Sequence, residues 1–201
     1  MPEADTSVQV TPGTTATVAF ERVGTKLYQA VVMADGYGQV IGARNTYVVS
    51  DRRTVGVADA RYLTLYNDSA STFVEVLKAS ISASTSAAVT GLPRLIYFSR
   101  ISIKSGGTLA TPVALNTASP AAPLPRIKAY RMATGSTVIG TPLALAAFNP
   151  EETGPSQTIE IFNAQNAEPI RLGDNEGIMI QQDGTAILGL VSTTIMFRVR
   201  P

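Results

Sequence analysis

The sequence predicts an all-β protein: an antiparallel β-sandwich of jelly-roll type with an extended N-terminal arm. Three observations carry this. Thr, Ser, Val, Ile and Gly are abundant throughout, and helical periodicity is hard to find. Apolar residues recur at every second position or in short bounded runs. From Arg61 onward, turn-forming clusters divide the chain at a steady beat, the habit of a two-sheet sandwich.

Residues 1–58 are rich in Thr, Gly and polar turns and offer only short strands. LYQAVVM (27–33) and TYVV (46–49) are separated by ADGYGQVIGARN, where Asp35-Gly36 and Gly38 mark turns. This predicts an arm or small satellite sheet that docks on a partner. Its Phe20, Leu27, Tyr28 and Val31 are too few to build a core alone and are the candidate partner-binding residues.

The sandwich is predicted over 59–201. Its strands are RYLTLYN (61–67), FVEVLKASISA (73–83), RLIYFSRISIK (94–104), RIKAYRM (126–132), PLALAAF (142–148), QTIEIFN (157–163), GIMIQQ (177–182) and AILGLVSTTIMFRVR (186–200). In the last, Ile195, Phe197 and Val199 alternate with Met196, Arg198 and Arg200, so one face is expected in the core and the charged face in water. Alanine and leucine in PLALAAFNP also favour helix weakly. Residues 104–125, a long stretch of small residues and prolines, read as a loop that is either a contact surface or disordered.

Composition narrows the chemistry. The chain has no cysteine, histidine or tryptophan. That removes disulfides, thiolates, Cys-based zinc sites, and Ser-His-Asp or Cys-His catalysis. Paired carboxylates, a Ser-Lys dyad or an oxygen-only cation site remain. With 16 basic against 15 acidic residues the net charge is +1, which gives no bulk attraction to nucleic acid or to an anionic membrane. MPEADTSVQV has no basic segment followed by an apolar run, and no apolar stretch reaches the roughly 18 residues of a spanning helix. A soluble product is expected.

IRLGDNEGIMIQQDG (170–184) holds Asp174, Glu176 and Asp183 in a short space. A calcium loop needs ligands at alternate positions between helices, whereas Asp174, Asn175 and Glu176 are consecutive and flanked by strand patterns. The reading that accounts for more residues is a hairpin: PIRL, a GDNEG turn, and the returning IMIQQ. The basic groups Ser50–Arg53 and Arg126, Lys128, Arg131 could contact phosphates, but a solvated strand face or an intersubunit ion pair fits them better. Ser102 and Lys104 have dyad-like spacing, yet the lysine runs into Ser-Gly-Gly and is expected to be exposed. No residue set is assigned to catalysis, cofactor or metal.

Three stretches carry a resemblance. KLYQAVVMADGYGQVIG comes first; then RYLTLYNDSASTFVEVLKASISAS followed by TGLPRLIYFSRIS; then GGTLATPVALNTASPAA followed by PIRLGDNEGIMIQQDG. Their order resembles a group of tailed-bacteriophage virion proteins, in which such a segment precedes a β-sandwich. The resemblance covers most of the chain and rests on hydrophobic pattern and turns. It implies a non-enzymatic capsid decoration or cement protein, made in the host cytoplasm and carried on the virion. Its partners would be the major capsid protein or other virion subunits, and copies of itself, most simply as a trimer. A tail or head-fibre accessory protein is the alternative within that group. A carbohydrate-binding module or carboxylate-dependent glycosidase on a jelly-roll fold is the alternative of another class.

Overall fold

The computed structural model describes residues 19–23, 26–30, 45–54, 57–84, 94–115, 123, 125–148, 158–184 and 190–200. The chain divides into two compact units, Met1–Arg44 and Asn45–Pro201. In the first, β1 (Ala19–Val23) and β2 (Lys26–Ala30) pair antiparallel, with Phe20 opposite Gln29 and Glu21 opposite Tyr28. Phe20, Leu27 and Tyr28 lie on this ribbon; their side chains, and Val31 entirely, lie outside the described residues.

The second unit contains no helix among its described residues and is a sandwich of two antiparallel sheets. One sheet runs β10 (Thr137–Phe148), β6 (Arg94–Ile103), β13 (Glu176–Gln182), β4 (Arg61–Asn67), β9 (Ile127–Arg131), β7 (Thr108–Ala110). The other runs β11 (Thr158–Asn163), β5 (Phe73–Ser84), β14 (Leu190–Arg200), β3 (Asn45–Thr54), β8 (Val113–Ala114), with β12 (Ile170–Leu172) also against β5. The core lies between them. Leu63, Leu65, Ile96, Phe98, Ile178 and Ile180 face Tyr47, Val49, Val74, Ile81, Ile195 and Phe197 in one continuous cluster. Phe98 stacks on Phe162 across the sheets at 6.0 Å between ring centres, and Tyr47 on its cross-strand partner Phe197 at 5.6 Å.

Three local expectations change. The sandwich begins at Asn45, because β3 pairs with β14 along its whole length. The polar SDRRT half continues the TYVV strand to Thr54, and its buried Asp51 is held there by Arg53. PLALAAF is strand, as its place in the strand series predicts; pairing with Leu95 and Tyr97 on β6 outweighs its weak helical preference.

The acidic turn is not a hairpin. β12 pairs with β5 in one sheet and β13 with β4 and β6 in the other, so Gly173–Asn175 carries the chain across the sandwich. Finally, Arg198 and Arg200 do not extend into water; both fold over Glu75 and are largely buried.

Candidate functional site

The three carboxylates of 170–184 do not converge. Asp174 and Glu176 sit at one end of β13 and Asp183 at the other. Glu176 Oε2 accepts the Gly173 N–H at 2.8 Å, closing the turn on itself, and lies 3.5 Å from Arg100 Nη1. Asn175 takes the left-handed conformation the turn requires, φ 57°. Asp183 accepts the Tyr97 hydroxyl at 2.9 Å, which pushes that phenol above its ordinary range. Among the described residues no group of three acidic side chains could hold a metal ion.

Beside this turn lies a residue that sequence reasoning missed. Asn67, the last residue of RYLTLYN, is fully buried and its amide donates to the carbonyls of Thr72 (2.8 Å), Leu172 (3.1 Å) and Gly173 (3.0 Å). Its Oδ1 accepts the Ser69 N–H at 3.2 Å. One side chain thus ties the end of β4 to the loop after it and to the opposite sheet. A polar residue closing an apolar strand was the available signal.

The two basic groups meet on one carboxylate. Asp51, buried on the inner face of β3, pairs with Arg53 of its own strand and with Arg131 of β9 in the facing sheet, the latter at 3.3 Å. Lys128 reaches Asp68 at 3.6 Å, while Arg52 and Arg126 are exposed. Lys104, expected in solvent, is half-buried, with its ammonium 3.4 Å from the centre of the Tyr130 ring.

A second buried carboxylate, Glu75, gathers Arg171 (3.3 Å), Arg200 (2.9 Å) and Arg198. The register explains the grouping, because Arg171, Glu75 and Arg198 are cross-strand neighbours on β12, β5 and β14. They lie on the face opposite the core, since Val74 and Val76 point inward on either side of Glu75. These ion pairs hold strands together.

Exposed apolar side chains gather in two places on the described surface. Leu109, Val113 and Leu115 are 59%, 61% and 55% exposed within the segment expected to be a long loop, which instead carries the short strands β7 and β8. Leu109 also lines a shallow groove of about 320 Å³ with Pro112, Pro123, Pro125, Ile127 and Tyr130. Two glycines with positive φ, Gly106 and Gly107, turn the chain into this segment, and a side chain at Gly107 would lie 2.5 Å from the Arg131 carbonyl oxygen. A second apolar group, Val138, Ile139, Leu143 and Leu145 with Leu95, lies at the other margin of the same sheet. Comparison with known proteins finds no matching family model, no matching curated protein and no matching solved structure.

Proposed function

We propose that this chain is a non-enzymatic structural subunit of a tailed-bacteriophage virion, decorating or cementing the capsid lattice as a homo-oligomer that binds other virion subunits. The observation that carries the reading is the placement of exposed apolar side chains. Leu109, Val113 and Leu115 cluster on the proline-lined segment 108–115, beside a groove. Clustered exposed apolar residues on a folded domain mark surfaces that gain burial from a partner. The resemblance of the three sequence stretches supplies the kind of partner. The described carboxylates Asp51, Glu75, Glu160 and Glu176 are each engaged by arginine or lysine, an arrangement suited to fastening strands.

The test is location and attachment together. Particles purified from a lysate of cells carrying the gene should contain the chain by mass spectrometry and be labelled on their surface by antibodies to it. Replacing Leu109, Val113 and Leu115 with serine should leave the melting temperature unchanged and abolish labelling. A chain that is expressed but absent from every particle fraction would overturn the assignment.

A further inference from the structure

We propose that β10 is a self-pairing edge: two copies of this chain join β10 to β10, antiparallel, and continue their sheets into one across a two-fold axis. The argument starts from a comparison of the sheet margins. Of the four terminal strands, β7 has 3 residues and β8 has 2, too short to template another strand. β11 has 6 and carries Glu160, paired to Lys78 beside it. β10 has 12 residues, TVIGTPLALAAF, and none is charged. Among the described residues it is hydrogen-bonded only to β6; β11, at the margin of the facing sheet, lies close to it without pairing, so no strand is hydrogen-bonded along its outer side.

Edge strands of soluble proteins are ordinarily short, charged or interrupted, because a long uncharged edge recruits another strand. β10 departs from that habit over its second half. The register with β6 breaks between Ile139 and Ala144, around Gly140 and Pro142, then runs regularly from Ala144 to Phe148. This regular stretch is the part able to accept a partner.

Its side chains say which partner. Leu143, Leu145 and Ala147 are exposed on alternate positions, with Leu145 61% exposed. Leu145 lies opposite Tyr97, and Ala147 opposite Leu95, itself exposed. An identical strand laid antiparallel meets every donor with an acceptor and repeats both contacts about the axis, the geometry of an isologous interface. Leucines from both copies then meet across the junction and the two Leu95 patches lengthen it. No charge on either strand opposes the approach, and none would select a foreign strand over a second copy. The contact is a property of the purified chain and does not depend on the particle assignment. Any three-fold association through the arms would be a separate contact.

The absence of native cysteine allows a clean test on the full-length protein. Single substitutions Leu143→Cys, Ala144→Cys, Leu145→Cys, Ala146→Cys and Ala147→Cys are oxidised mildly, with Arg52→Cys, exposed on β3 in the other sheet and outside both apolar groups, as control. Disulfide-linked dimer should peak at one or two adjacent positions and fall away on either side, while the control stays monomeric on a denaturing gel. Leu145→Lys, which sets a cation against its own copy, should halve the mass seen by light scattering without lowering the melting temperature. Uniform or absent crosslinking along β10, or a mass that Leu145→Lys leaves unchanged, would overturn the proposal.

Discussion

Substituting Gly177 tests the packing of the sandwich at its tightest point. Gly177 lies inside β13, between Tyr66 on β4 and Ile101 on β6. Its backbone is ordinary strand, outside the left-handed region, so the demand for glycine is not one of turn conformation. It is one of space. An added Cβ would lie 2.6 Å from the Leu65 carbonyl oxygen, 2.8 Å from Tyr66 Cδ2 and 2.9 Å from Ile101 Cγ1. The tyrosine cannot swing aside freely, because its hydroxyl donates to the Ser102 carbonyl at 3.0 Å, and the carbonyl oxygen belongs to the central ladder. Overpacking of this kind costs about 2–3 kcal/mol. For a chain of this size that lowers the melting temperature by roughly 5–10 °C. The neighbouring Glu176→Ala removes one hydrogen bond to Gly173 and a distant arginine contact from a half-exposed side chain, about 1 kcal/mol at most. Urea unfolding of the two variants, followed by circular dichroism, reads both numbers. A Gly177→Ala protein within about 0.5 kcal/mol of wild type would refute the packing argument, since smaller effects fall within the usual scatter of harmless substitutions.

Asn67→Ala leaves three carbonyls and the Ser69 N–H without their partner and should cost about 2–3 kcal/mol, with faster amide exchange at Ser69 as the local signature. Glu75→Ala should cost about 3 kcal/mol by leaving Arg171, Arg198 and Arg200 around an empty centre; added sulfate should recover part of the loss, whereas it should not rescue Gly177→Ala. Burial raises the phenols of Tyr47 and Tyr66, the latter further through Asp68 and Asp174. The stability they contribute is therefore intact below the ordinary phenol range and lost as pH climbs through the raised values; alkaline titration by tyrosinate absorbance should show these groups ionising late, together with unfolding. Removing residues 1–44 should leave the sandwich folded by circular dichroism, because its core cluster begins at Tyr47, whereas removing 1–58 takes β3 with it, uncovers Ile195 and Phe197, and should unfold the domain.

The strands were legible where burial follows an alternating pattern, as in Ile195 and Phe197 against Thr194 and Met196, because period-two burial is a local property. Two kinds of information were not local. Sheet membership was one: PIRL and GIMIQQ look like hairpin arms, and nothing within GDNEG states that the first will pair with β5 and the second with β4 and β6. The partner of each charge was the other. Arg53 and Arg131 are far apart in sequence and meet at Asp51 only because β3 and β9 face each other across the core. The same reasoning explains why the surface we assign to association was half visible. The proline-rich segment around Leu109 and Val113 announces itself by composition. β10 does not, since an uncharged apolar strand is the expected sequence of a sheet centre, and only its position at the margin makes the lack of charge informative. A strand with the sequence of an interior and the position of an edge is satisfied by one further strand beside it, and the cysteine scan along β10 asks whether another copy supplies it.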